Sequence, residues 1–240
     1  MIQVGPYKVR QSEDGTVFIP RNNSAVEKYL DTHHVRVFGN ELRWHLKIGD
    51  YEPIDELQPL FQGLKTYIIG KGPSLDTLRR EHFTSGCPII CLNDSIRTIE
   101  ALDLENPLIA IQQDGWLKVN CLPKRGVLII SPQLQITYGE QPGVYIFSPL
   151  NFAVTYKVPT IVWAIQLAKV FGTTELCILA CDAYSVGDTS YAKSIGYPVT
   201  DYGSPDRFFG QKIRVMKHLK DIAYTFVSPQ DLDSLVPATP

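Results

Sequence analysis

The chain has 240 residues, 44% of them apolar and 20% charged, with 23 Lys and Arg against 25 Asp and Glu for a net charge of −2. That length suits one full-sized α/β domain with an elaboration, and the apolar fraction is that of a folded protein. The near-balanced charge excludes the global basic field of a nonspecific nucleic-acid binder. Five cysteines (Cys87, Cys91, Cys121, Cys177, Cys181) include no CxxC pair, and several sit in apolar runs. Buried free thiols in a reducing compartment are expected from them, not disulfides. The five histidines are not spaced near those cysteines as a zinc site requires. No apolar run reaches about 18 residues and the N-terminal stretch has no signal-type apolar core, so a soluble, cytoplasmic protein with no membrane partner is expected.

Residues 1–60 read as an N-terminal α+β elaboration. "YKVRQ", "TVFIP" and "HVRVF" suggest short strands, with the turn "SEDG" between the first two. "SAVEKYLDTH" is expected to be a short helix, because Ser24 and Glu27 have capping-box spacing. "ELRWHLKIGD" alternates apolar and charged residues as a half-exposed strand does.

Residues 61–240 form the main domain, in which strands alternate with helices. "KTYIIG" is a strand and "SLDTLRREHF" a helix; "CPIICLN" is a strand and "SIRTIEAL" a helix. "PLIAIQQD", "GVLIIS" and "GVYIFS" are strands, and "TIVWAIQLAKVFG" is a helix ended by Gly172. "ELCILACD" is a strand, "FFGQKIRVMKHLKDI" a helix and "AYTFVSP" a last strand. Near-continuous apolar strands between amphipathic helices indicate an α/β fold: a mostly parallel, Rossmann-like sheet with helices on both faces. Ligands in such sheets bind beyond the carboxyl ends of the strands, so the residues there are the informative ones.

Those strand ends read Gly70-Lys71-Gly72-Pro73-Ser74, Asn93-Asp94-Ser95, Gln112-Gln113-Asp114 and Asp182-Ala183-Tyr184. In the first, Gly70 and Gly72 permit close backbone approach, and Ser74 is placed to N-cap the following helix. The helix N-terminus and its free N–H groups then suit an anion such as a nucleotide phosphate. The turn is neither GxxxxGK[ST] nor GxGxxG, so a triphosphate loop is unsupported and a monophosphate or sugar-nucleotide fits it better.

"IIGKGPSLD" followed by "ICLNDS" resembles the superfamily that joins bacterial CMP-sialic-acid-dependent sialyltransferases to archaeal-type 6-hydroxymethylpterin pyrophosphokinases. Sialyltransferases of that type carry a "GNGPSL" turn, an Asn-bearing second strand end, a helix ending in Leu-Gly, and a strand ending "GIDFY" followed by a second tyrosine. Here "AIQLAKVFGTTELCILACDAYSVGDTSYA" keeps the Gly, the Asp, Tyr184 and Tyr191. The resemblance covers roughly residues 64–230 and leaves residues 1–60 aside. It implies nucleotide contacts at Gly72, Ser74 and Asn93, and contacts to the nucleotide or sugar at Gln113 and Asp114; Gly70, Lys71 and Asp182, at the same strand ends, complete the expected nucleotide-binding set. It also implies that Tyr184 and Tyr191 hydrogen-bond the departing phosphate. A phenol, with pKa near 10, stays a donor at pH 7 and stabilises charge on a leaving oxygen without a metal.

The chain departs from the family pattern twice. Lys71 stands where the family turn has Asn. The family histidine that serves as general base has no counterpart between His82 and His218. The corresponding stretch "YGSPDRFFGQK" offers Asp206 as the base for an acceptor hydroxyl, its plainer role being to offset the helix dipole. His218 reads as a surface or packing residue. Asp231-Leu232-Asp233 is the one Asp-x-Asp match, and we read it as chance, so neither a metal nor another cofactor is expected.

Three functions are therefore open. The leading one is a metal-independent, inverting glycosyltransferase with a nucleotide-activated donor, a CMP-sugar first, and a hydroxyl acceptor. The second is an ATP-dependent pyrophosphokinase acting on a small hydroxymethyl compound, with Asp114 and Asp182 at Mg²⁺. The third is a non-catalytic nucleotide-binding module. Residues 1–60 interleave Lys8, Arg10, Arg21, Lys28, Arg36, Arg43 and Lys47 with aromatics, which makes nucleic acid, such as a hydroxylated base in DNA, one candidate acceptor. Homo-oligomerisation is left open.

Overall fold

A computed structural model describes residues 54–113, 121–131, 142–147, 159–196 and 205–236, residues 134 and 138, and four strands within residues 1–50; for the four strands and residues 205–207 it describes the backbone alone. The four strands are β1 (Ile2–Val4), β2 (Tyr7–Gln11), β3 (Thr16–Ile19) and β4 (Leu42–His45). They form an antiparallel sheet in chain order. The strands expected from "YKVRQ", "TVFIP" and "ELRWHLKIGD" are thus present. The helix expected from Ser24 onward and the strand "HVRVF" lie outside the described residues.

The main sheet has seven strands, all parallel: β5 (Lys65–Ile69), β6 (Ile89–Leu92), β7 (Leu108–Gln112), β8 (Val127–Ile130), β9 (Val144–Ile146), β10 (Glu175–Leu179) and β11 (Ala223–Phe226). Their spatial order is β11-β10-β5-β6-β7-β8-β9. Successive side chains in a strand point to opposite faces, and from β5 to β10 both faces are buried, whereas the edge strand β11 is exposed at Ala223, Tyr224 and Thr225. Ile68, Ile90, Ile109, Ile129 and Ile178 join one core, while Tyr67, Ile69, Ile89, Ala110, Leu128 and Leu179 join the other. This is why the strands read as unbroken apolar runs. Each fully buried Ile or Leu contributes about 1.5–3 kcal/mol relative to exposure.

Helices cover both faces, as expected. Helices α2 (Thr160–Val170) and α4 (Pro205–His218) pack on the first, with Trp163, Ile165, Val215 and Leu219 in its core. Helix α1 (Ser95–Glu100) covers the second through Ile96 and Ile99, and the single turn α3 (Asp182–Ser185) follows β10. Gly172 ends the α2 segment at φ +80°, a backbone region that favours glycine. Helix α4 begins at Pro205, where proline's missing N–H costs nothing, so it starts three residues before the expected boundary.

The segment after β5 differs from expectation. "SLDTLRREHF" is two short 3₁₀ turns, Pro73–Thr77 and Arg80–His82, with Leu78 and Arg79 extended between them. Leu75, within the first turn, and Leu78, extended just after it, are both buried in the core on this face of the sheet. Seating both leucines on the sheet overrides the helical pattern.

Candidate functional site

Strand β5 is the sheet's topological switch point. The chain leaves it for β6 on one side, while β10 and β11 pair on the other. The loops after β5 and β10 therefore diverge and open a cleft above their carboxyl ends. The cleft is lined by Gly70, Lys71, Gly72, Asn93, Asp182, Tyr184 and Tyr191. Seven of the residues singled out in the sequence thus converge.

The two loops are stitched together at the floor of the cleft. Gly70 N–H donates to the Leu179 carbonyl and Gly72 N–H to the Ala180 carbonyl, both at 2.8 Å. Ala192 N–H donates to the Lys71 carbonyl at 2.9 Å, which brings the Tyr191 loop over the turn. The glycines are dictated by this closeness. A Cβ on Gly70 would lie 2.2 Å from the Ala180 oxygen, and one on Gly72 would lie 2.3 Å from Asp182 Oδ2.

Ser74 does not cap a helix over an anion. Its N–H donates to Asp182 Oδ2 at 2.8 Å and its hydroxyl to Asp182 Oδ1 at 2.7 Å. The N–H groups of Gly70, Gly72 and Ser74 are thus used within the protein. Burial pushes the Asp182 carboxyl above the usual carboxylate range, and the two Ser74 donors oppose that rise. Ser74 lies beneath the turn, in a neighbouring hollow that Asp182 also borders.

Positive charge in the cleft comes instead from Lys71. Its Nζ lies 3.8 Å from Asp94 Oδ1 and 5.1 Å from the centre of the Tyr191 ring. Both members of the ion pair are about nine-tenths buried. Asn93, at φ +56°, is held with its side chain buried, and its Oδ1 has no hydrogen-bond partner among the described residues. An unsatisfied buried acceptor costs about 1–3 kcal/mol, so Asn93 is a strained polar group at the base of the cleft.

Tyr184 is clamped. Its ring meets Phe208 at 5.8 Å and Phe226 at 6.3 Å, and its hydroxyl donates to Gln211 Oε1 at 2.9 Å. Phe208 and Gln211 are on α4 and both line the cleft, yet the sequence reading passed over them. A signal was present: Phe208 and Val215, with Leu219 just past the helix end, form a buried stripe, and Gln211 is the polar residue at helical spacing within it. Asp188, Thr189 and Ser190 complete the rim.

Gln113 is buried at the end of β7, two strands from β5, and does not line the cleft. Asp114 lies outside the described residues. Asp206 is in the first turn of α4, two residues before Phe208, and its side chain lies outside the described residues. The five cysteines are buried free thiols, as the sequence led us to expect. Burial pushes the Cys181 thiol at the cleft far up, which leaves it un-ionised and inert.

Neither histidine of the main domain enters the cleft. His218 Nδ1 lies 2.7 Å from Gln166 Nε2 between α4 and α2, a packing role. His82 accepts the Arg79 N–H. Of the Asp-x-Asp match, Asp231 accepts the Ser228 hydroxyl and Asp233 pairs with Arg79, so both serve the C-terminal turn. Among the described residues, no helix is long and apolar enough to cross a membrane.

No protein-family model and no curated protein matches the sequence. Among solved structures, the chain is similar to the sialyltransferase CST-II in complex with a trisaccharide acceptor and CMP, at 12% identity and a TM-score of 0.43. It is also similar to a tyrosine-to-phenylalanine variant of CST-II in complex with CMP, at 13% identity and a TM-score of 0.35. Both comparisons cover 73% of this chain and 86% of the other.

Proposed function

We propose that this chain is a glycosyltransferase that binds a nucleotide-activated sugar, a CMP-sugar first, and moves the sugar to a hydroxyl acceptor with inversion. The observation that carries this reading is the convergence on one switch-point cleft of a cation, two phenols and an unpartnered amide oxygen: Lys71, Tyr184, Tyr191 and Asn93. The same residues belong to the GKGPSLD, CLND and DAY…Y segments that carry the sequence resemblance.

The roles follow from the chemistry of each group. Lys71 holds the donor's phosphate, because the N–H groups of Gly70, Gly72 and Ser74 are engaged within the protein. Asn93 Oδ1 accepts a donor from the base or the sugar. Tyr184 and Tyr191 donate to the phosphate as it departs, where charge develops and a fixed donor lowers the barrier most. Asp206, in the turn of α4 that precedes Phe208, takes the proton of the acceptor hydroxyl. Residues 1–60 serve the acceptor.

Asp182 is a structural anchor in this scheme, since both of its oxygens accept from Ser74. That favours sugar transfer over the pyrophosphokinase reading, which needs the same carboxylate at Mg²⁺. A thermal-shift screen with CMP, CDP, UMP, UDP, GDP, AMP and ATP, each with and without Mg²⁺, tests the proposal. A ligand present at about 100 times its Kd adds about 2.7 kcal/mol. A shift with CMP that does not need Mg²⁺ is expected. A shift confined to ATP with Mg²⁺ replaces the proposal by the kinase, and CMP binding without turnover of any CMP-sugar replaces it by a binding module.

A further inference from the structure

Tyr184 has one proton to give, and in this structure it gives it to Gln211. The ring is buried between Phe208 and Phe226, so the hydroxyl oxygen has a fixed place. Gln211 Oε1 accepts from it at 2.9 Å, from a half-buried position on α4 that also lines the cleft. A proton committed to the amide is withheld from a phosphate. For Tyr184 to donate into the cleft its proton must swing away, which leaves the phenol oxygen facing the amide oxygen with nothing between them.

A primary amide resolves that clash. It carries an acceptor oxygen and a donor NH₂ on the same terminal carbon, and a half-turn of the last bond exchanges their places. Gln211 Nε2 then donates to the phenol oxygen while the phenol donates to the phosphate. Each hydrogen bond in such a chain polarises the next, so the phenol becomes a stronger donor at the moment it is needed.

We propose that Gln211 is a positioning residue: its amide oxygen holds the Tyr184 proton and, by turning its amide, it frees that proton for the donor's phosphate. The inference rests on the glycosyltransferase reading above. No bond is made or broken in the step; one hydrogen bond is exchanged for two.

Gln211→Glu tests it, because a carboxylate keeps the acceptor and loses the donor. CMP is the probe, since its phosphate carries the charge of the departed group, and affinity is read by calorimetry in wild type, Gln211→Glu, Tyr184→Phe and the double variant. The ζ-carbon resonance of ¹³C-tyrosine at position 184 is followed in the same titrations. Gln211→Glu is expected to weaken CMP by about tenfold or more, to abolish the shift of the Tyr184 resonance, and to have no further effect once Tyr184 is Phe. A new carboxylate that merely repelled the phosphate would weaken binding equally with Phe at 184, and that result overturns the proposal. So does a Gln211→Glu protein that binds CMP like wild type. If wild type takes up neither CMP nor inorganic phosphate, the glycosyltransferase reading falls and this one with it. Binding by wild type with no coupling to Tyr184 sinks the Gln211 role alone.

Discussion

Ser74 spends both of its donors on Asp182, a residue 108 positions further along the chain. Replacing the carboxylate with an amide leaves the cage one acceptor short and presents NH₂ to a donor. Asp182→Asn should therefore cost about 1–3 kcal/mol in urea-induced unfolding. Ser74→Ala, which removes only the hydroxyl donor, should cost less. Equal stability of wild type and Asp182→Asn would show that the pair does not anchor the turn.

Three glycines of the main domain, Gly70, Gly72 and Gly210, make a contrast in sign. Gly72→Ala drives a Cβ into Asp182, and Gly70→Ala drives one into the Ala180 carbonyl, so each should destabilise by about 1–3 kcal/mol. Gly210 lies inside α4 with nothing within 4 Å of a built Cβ. Gly210→Ala should instead stabilise by about 0.5–1 kcal/mol, through helix propensity alone. Thermal melts of the three variants check the contrast in sign.

If Lys71 holds the phosphate, Lys71→Met should weaken CMP by about 10–100-fold, the range for a charge-assisted hydrogen bond. Affinity should also become less sensitive to salt, because the screened attraction is gone. Calorimetry at two ionic strengths is sufficient. Unchanged affinity and an unchanged salt dependence would remove Lys71 from the phosphate site.

The tyrosines are expected to act on the departing group more than on the intact donor. The double variant Tyr184→Phe, Tyr191→Phe should lose turnover sharply, by about 100-fold or more, while the donor's own affinity changes little. CMP, the product with the extra charge, should bind more weakly. Steady-state kinetics beside direct binding separates these effects, and undiminished turnover ends the proposed role.

His82 and His218 both have pKa values held below the ordinary 6.5, first by burial, then by Arg79 for His82 and Lys169 for His218. Below 6.5 the unfolded chain takes up protons that the folded chain refuses. Stability therefore falls as pH drops from about 7 toward 5. His218→Gln should flatten part of that slope and leave the stability near pH 8 comparatively little changed. Urea unfolding across the range measures both.

The parallel sheet was legible because its strands are apolar on both faces, and Gly172 marked the end of a helix by a conformation few residues adopt. The turn after β5 was legible in place and misread in form. Pro73, Ser74 and the pattern that follows satisfy every local rule for a helix start, yet the seating of Leu75 and Leu78 and the grip of Asp182 decide the outcome. Those partners are remote in sequence, and no local rule contains them. The cleft's Gly, Lys, Asn and Tyr residues could be read off the strand ends. Phe208 and Gln211 could not be found that way, since they enter from the side of a helix.

Strand β5 lies inside the sheet, yet one of its neighbours, β10, begins only at Glu175. A chain emerging from the ribosome can build β5 through β9 early, with β5 exposed as a sticky edge. Only when β10 and α4 have been made is that edge closed and the wall of Tyr184 and Gln211 put in place. Long-range pairing of this kind is slow, and an unpaired apolar edge invites aggregation. Fragments ending before β10 should accordingly be insoluble and unable to hold a nucleotide, and the nascent protein has good reason to meet a chaperone while it waits.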